Sequence, residues 1–337
     1  MAEILISLLF ITTIFKKDFI FFRKSDKVLV YILIAVFILT FVHVIFSPTA
    51  LVLFGNKTRA QGTILLSFLL LFSYLSSKVE LPDFKYKLYP LILVVIFILS
   101  FLIGNQTGRA VATIGEPNAL AAFVIFLWPF IFFSKFESKK KEFMIRSVCL
   151  LLALTIILLS GSRSGLLAFG IEILFYFLAS VIKLPLKKII IFALFLIVIA
   201  YALPFLDKSL YENRVDVWSN AFISGMANPI IGVGFGNAEI AMRNTSLKFH
   251  DMLIGYYVDS AHNIFLDWWI QGGIVGIILL FMIILKTVKN LYKKHKKFEL
   301  IIFSGIIVML SFNPGSVVTL LGFWWLVGQS FGEFNTK

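Results

Sequence analysis

Apolar runs close to twenty residues long recur along almost the whole chain. Nothing else in the sequence restricts its fold as much. A run of that length matches the roughly 20 helical residues needed to cross about 30 Å of hydrocarbon. We mark about eleven such segments, at 3–15, 28–46, 62–77, 88–104, 118–134, 144–160, 164–182, 189–206, 263–285, 299–312 and 316–331. The reading is an all-α polytopic membrane protein with about eleven transmembrane helices. Composition agrees: 60% of the 337 residues are hydrophobic and 15% charged, against about 45–50% and 25% in soluble domains. The first, third and tenth segments are short for a crossing, which predicts tilted or re-entrant helices. Residues 1–15 lack the basic start and small-residue cleavage site of a removable signal. The single cysteine, Cys149, excludes an intrachain disulfide.

The net charge of +13 raises the question of nucleic acid. Its distribution answers otherwise. Loops 16–27, 78–87, 135–146, 183–188 and 286–298 carry five, three, five, three and six Lys/Arg. The alternate loops 47–61, 104–117, 161–163, 207–262 and 313–315 carry two, one, one, four and none. That is 22 against 8, and cytoplasmic loops of membrane proteins collect Lys and Arg. The basic set is therefore expected in the cytoplasm, with the N-terminus outside, the C-terminus inside and no nucleic-acid partner.

The 56-residue insert 207–262 is the one large extracytoplasmic loop in this reading. Loops of that length are functional or disordered, and this one shows internal structure. Ser209 and Glu212 have capping-box spacing, opening a helix from Leu210 to about Gly225. Arg214, Val217, Trp218 and Ala221 share a face of it. We expect an amphipathic helix on the outer membrane surface. Asn228-Pro229 ends it, and the Gly-rich turn GVGFGN follows.

Cations at extracytoplasmic helix starts are the first candidates for chemistry. In SGSRSG, Ser162 and Ser164 are good N-cap residues beside Arg163. A helix N-terminus with an added guanidinium is shaped for an anion; the bland alternative is an interhelical turn whose Arg reaches lipid phosphate. Arg109 lies in GRAVATIGEPN, where Pro117 suits a first helical turn and Glu116 and Asn118 flank it. Arg214 invites phosphate contact, or stacking on Trp218. Arg offers a fixed fork of donors that matches phosphate. His262 and Asn263 open a segment in SAHNIFLDWWIQGG. An imidazole there can accept a hydroxyl proton at neutral pH, or merely cap the helix. His43 reads as packed within its segment and His295 as solvated. The loop acids, Asp259 among them, show no metal-ligand spacing, so no metal is expected. The glycines of GVGFGN lack the strand–helix setting of a nucleotide loop. Apart from Glu3 and Glu299 at segment starts, only Glu172 and Asp267 are acidic within the segments.

Together SGSRSGLLAF, ENRVDVWSNAF, NPIIGVGFGNAE and HNIFLDWWIQGGIVGI resemble the O-antigen ligase/polymerase family, polytopic bacterial glycosyltransferases acting on polyprenyl-linked glycans. IGEPNALAAF is similar to that family's Asn-Pro-Asn stretch, with Glu116 where Asn is commoner. The resemblance covers about residues 105–285. It implies an undecaprenyl-diphosphate-linked oligosaccharide donor, a glycan or lipid acceptor and, as a further partner, a chain-length regulator. No cofactor is implied. It assigns diphosphate binding to Arg163 and Arg214, and more loosely to Arg109. His262 would be the base of a metal-independent, inverting transfer at the outer face of the bacterial plasma membrane. A polymerase of surface polysaccharide, of capsule or O-antigen type, is the first expectation, and a ligase to lipid, protein or wall the second. A flippase would instead call for broken helices and an internal repeat, whereas the spans read as largely unbroken. A non-catalytic sensor is a third possibility.

Overall fold

The computed structural model describes residues 26–46, 49–57, 59–78, 88–103, 108–133, 138–182, 185, 188, 191, 214–248 and 258–332. Among the described residues the secondary structure is helical throughout. In chain order the helices are α1 Asp26–Phe46, α2 Ala50–Phe54, α3 Thr63–Ser76, α4 Leu88–Leu102, α5 Pro117–Phe133 and α6 Lys139–Ser160. There follow α7 Arg163–Tyr176, α8 Arg214–Met226, α9 Ala238–Lys248, α10 Ile264–Lys293, α11 Lys297–Phe312 and α12 Val317–Phe331. A π-helical turn, Phe177–Val181, extends α7. The segment at 3–15, most of 189–206 and the start of the insert, with Ser209 and Glu212, lie outside the described residues.

Among the described residues, three helices are long and apolar enough to cross a membrane: Lys27–Phe46, Lys139–Ser160 and Ile264–Lys293. Thr63–Ser76, Tyr89–Leu102, Pro117–Phe132 and Val317–Phe331 are apolar but shorter. The faces of the long helices show which solvent they suit. On α1, Leu29, Leu33, Val36 and Leu39 are buried. The other face exposes Tyr31, Ile34, Phe37, Ile38, Phe41 and Ile45. A water-facing helix would be polar there. α6 exposes Met144, Val148, Leu151 and Leu158, and α10 exposes Ile274, Ile278, Phe281 and Leu285. Continuous apolar surface of this kind belongs against hydrocarbon.

The chain divides into two compact units. The first comprises Met1–Glu80, Val198–Asn290 and Trp324–Lys337; the second comprises Leu81–Ile197 and Leu291–Phe323. In the second unit, α11 packs on α7 and α5, while α6 packs on α5 and α4. Its core includes Trp128, Ile125, Ile156, Ile157 and Phe303. Glu172 is fully buried here and accepts a hydrogen bond from Trp128 Nε1, which gives this intramembrane acid a packing role.

In the first unit, α8 packs against α9. Asn220 Nδ2 donates to Ser246 Oγ at 2.6 Å, and Ser224 Oγ lies 2.8 Å from Thr245 Oγ1. The amphipathic helix expected on the membrane surface is found over Arg214–Met226, but its Trp218–Ala221 face does not lie open. Ala221 joins a core with Ala238, Met242, Ala261 and Ile270, with Val217 packed against it. The exposed apolar side chains of α8 are instead Phe222 and Met226. Burial against α9 and α10 removes more apolar area from water than one-sided contact would, and so wins.

The expectation of unbroken spans also needs correction. α10 is interrupted at Gly273, where φ is 58° and ψ −156°. Such a break frees backbone groups, and each left unsatisfied in hydrocarbon costs several kcal/mol. The Gly-rich segment supplies the missing partners. Val233 N donates to Ile270 O at 2.9 Å and Gly234 N to Gln271 O at 3.0 Å. Ile274 N donates to Pro229 O at 2.8 Å and Val275 N to Ile230 O at 3.2 Å. Gln271 Oε1 accepts from Gly236 N, and His43 Nε2 from α1 lies 2.7 Å from Ile231 O. The glycines are there for contact: a Cβ on Gly232, whose φ is +76°, would collide with the Gln271 carbonyl. GVGFGN is thus a backbone plug for a broken helix.

Candidate functional site

In the second unit the SGSRSG corner is built from two caps back to back. Gly161 ends α6 in the left-handed region, at φ 60°, which suits glycine. Ser162 starts α7, its Oγ accepting from Gly165 N at 3.2 Å. Ser164 is buried and bonded to Ser162 and to Asn313 Nδ2. Both serines are consumed internally, and the side chain that faces outward is Arg163, exposed at the first turn of α7. Arg109 comes to the same corner. Its Nε donates to Ser160 O at 2.8 Å and its Nη2 to Asn118 Oδ1 at 3.4 Å. A cation on the last carbonyls of α6 complements that helix dipole, so part of Arg109 is structural. Asn118 sits in the first turn of α5, with Glu116 half-buried just before it. Arg109, Asn118 and the Arg163 corner are thus gathered in this unit.

The first unit holds Arg214, Trp218, His262 and Asn263. Arg214 opens α8, half-buried, with Trp218 buried one turn later. Trp218 and Asn263 line one cavity of about 610 Å³, together with Ser219, Phe222, Ile223, Phe265 and Leu266. Asn263 caps α10: its Oδ1 accepts from Phe265 N at 2.9 Å and Leu266 N at 3.3 Å. Its side-chain oxygen is thus engaged by the first turn of the helix.

His262 immediately precedes this cap and adopts φ 53°, a left-handed conformation costing roughly 1–3 kcal/mol. Its backbone N–H donates to Ser260 Oγ at 3.2 Å, and Ala261 N donates to Asp267 Oδ1 at 2.8 Å. The imidazole is 36% exposed, with Nε2 3.5 Å from Asp259 Oδ1. The other oxygen, Asp259 Oδ2, lies 2.7 Å from Arg59 Nε. Burial works against the charge of Asp259, yet the hydrogen bonds from His262 and Arg59 and the Arg59 charge hold its carboxyl well below the usual carboxylate range. Asn56 braces the arrangement: its Oδ1 accepts from Arg59 N at 2.7 Å, and its Nδ2 donates to Glu239 Oε2 at 3.0 Å. In the sequence Arg59 stands only among scattered outer cations and Asp259 only among loop acids. The Asp-x-x-His spacing is the one local clue, since Arg59 lies two hundred positions away. Among the described residues, no three His, Cys, Asp or Glu side chains gather as metal ligands would.

Comparison with known proteins places most of these residues in one recognised region. Residues 148–281 match the family model described as O-antigen ligase. Over that stretch the chain is similar to the O-antigen ligase family. The matched region contains Arg163, Arg214, Trp218, Asp259, His262 and Asn263; Arg59, Arg109, Glu116 and Asn118 precede it. The chain is also similar to the ComP-specific O-oligosaccharyltransferase of Acinetobacter baylyi, 24% identical over 221 residues. That match covers 60% of this chain and 39% of the relative. An uncharacterised protein of Haemophilus influenzae is 32% identical over 111 residues, 29% of this chain and 26% of that protein. The chain thus spans about two fifths and a quarter of the relatives it matches.

Proposed function

We propose that this protein is a membrane glycosyltransferase that moves an oligosaccharide from undecaprenyl diphosphate to an acceptor hydroxyl at the extracytoplasmic face. The observation that carries the reading is His262. Its imidazole is partly exposed, sits in a strained loop at the head of an apolar helix, and lies in a region matching the ligase family. Strain of this kind clusters at functional sites. His262 takes the acceptor proton as the hydroxyl oxygen attacks the anomeric carbon. The bond to the diphosphate breaks and its electron pair leaves on the diphosphate oxygen. Arg214, in the same unit as His262, stabilises the charge that grows there, and the family resemblance gives Arg163 and, more loosely, Arg109 a part in diphosphate binding. Trp218 and the cavity beside Asn263 offer an apolar wall with one polar edge, suited to a sugar face or a lipid.

A ligase-type transfer, to a lipid, protein or wall acceptor, fits the family description and the name of the Acinetobacter relative as well as polymerisation does. Polymerisation of capsule or O-antigen repeats, with or without a chain-length regulator, uses the same donor chemistry. Reconstitution of the full chain in proteoliposomes with undecaprenyl-diphosphate-linked oligosaccharide tests the proposal. The expected product is a new glycosidic bond, with His262→Ala slowing turnover by about 10²–10⁴-fold. Longer lipid-linked glycans would identify a polymerase and glycan on a second molecule a ligase. Flipping without bond formation, or full turnover in His262→Ala, would overturn the reading.

A further inference from the structure

The carboxylate of Asp259 divides its two oxygens between two different elements. Oδ2 meets Arg59 Nε at 2.7 Å and Oδ1 faces His262 Nε2 at 3.5 Å. Arg59 is itself held in place. Its backbone N–H is bonded to Asn56 Oδ1, and Asn56 Nδ2 reaches both Glu239 Oε2 and the Asp259 carbonyl, the latter at 3.4 Å. On the far side, Asp267 fixes Ala261 N and Ser260 fixes His262 N. The backbone on both sides of the imidazole is therefore pinned, and one ring nitrogen is turned to a carboxylate. His262 Nδ1 has no hydrogen-bond partner among the described residues. A carboxylate only accepts hydrogen bonds, so the ring nitrogen facing it carries a proton. In a neutral imidazole the other nitrogen then carries the lone pair.

We propose that Asp259, clamped by Arg59, is the positioning residue of His262: it holds the ring through Nε2–H and leaves Nδ1 as the proton-accepting atom. Its part in catalysis rests on the glycan-transfer reading above; the choice of tautomer does not. Catalytic hydrogen bonds are often long without substrate and tighten in the complex, which fits the 3.5 Å separation. Arg59 holds the second Asp259 oxygen, so that the carboxylate presents one defined oxygen to the ring. The charged groups that bear on the ring are Arg59 from the turn after α2, Asp259, Asp267 on α10, and Glu239 on α9 through Asn56.

Two measurements on the full-length protein in detergent test this. Nitrogen-15 NMR of labelled histidine reports which ring nitrogens carry protons. The chain has four histidines, and His262→Gln assigns the signal. At about pH 8, above the ordinary histidine range, wild type should show a protonated Nε2 and a bare Nδ1 at 262. Asp259→Asn should mix the two tautomers, and Asp259→Glu should restore the bias in part. A proton on Nδ1, or on both nitrogens, in wild type overturns the proposal. In the reconstituted reaction Asp259→Asn should lower kcat about 10–100-fold with KM nearly unchanged, and Asp259→Glu should recover part of it. Unchanged kcat in Asp259→Asn, with His262→Ala inactive, would overturn the positioning role alone. Activity in His262→Ala would overturn the function instead.

Discussion

His262 shows how one residue can be legible in type and hidden in setting. Its motif and its place at a segment start were readable, because Asn263 beside it is a strong helix-capping type and the apolar run begins next. The partner that aims it was not, because Arg59 meets Asp259 only through the fold. The same holds for Arg109, whose target carbonyl at Ser160 lies on another helix. The depressed Asp259 carboxyl makes a prediction of stability. A carboxyl whose pKa falls on folding stabilises fully above its unfolded value, near 3.9, and loses that contribution as pH drops through the folded value. Thermal unfolding in detergent should therefore show Tm falling in acid, with a weaker fall in Asp259→Asn. A variant with the same acid dependence as wild type would remove Asp259 from that account. Asn263→Ala should cost about 0.5–2 kcal/mol through the lost cap, read as a lower Tm.

At the scale of elements, the helices were legible wherever apolar runs ended at caps. α5 begins at Pro117, and α6 and α7 meet at Gly161–Ser162, close to the boundaries the apolar pattern implies. The break in α10 was not, because two adjacent glycines in an apolar run do not say whether a helix bends. What decides is the Pro229–Gly234 segment, which offers two carbonyls and two amides to the freed backbone. Glycine is required on both sides of that contact. Gly273→Val would drive a side chain toward the Ile230 carbonyl carbon, 2.5 Å from an ideal Cβ, at a left-handed residue. We expect loss of more than about 1–3 kcal/mol, seen as poor yield and early aggregation. A substitution at Gly170, where a Cβ meets nothing within 4 Å, should leave Tm almost unchanged. Equal behaviour of the two variants would refute the plug.

For the whole molecule, the membrane class was legible from composition and the exposed apolar faces agree with it, whereas the number and orientation of spans rest on the charge bias of the loops. Orientation is open to direct labelling, because the one native thiol, Cys149, is buried. In a Cys149→Ser background, Arg243→Cys should react with a membrane-impermeant maleimide on intact cells, and Lys294→Cys only after permeabilisation. The reverse pattern would invert the proposed topology and put His262 on the wrong side. The mended helix also bears on how the chain is made. Ribosomes synthesise Pro229–Gly234 before the helix it completes, so this segment must wait outside any finished contact until Val275 has been added. Insertion machinery that released α10 into lipid early, as an independent span, would strand both halves of that exchange.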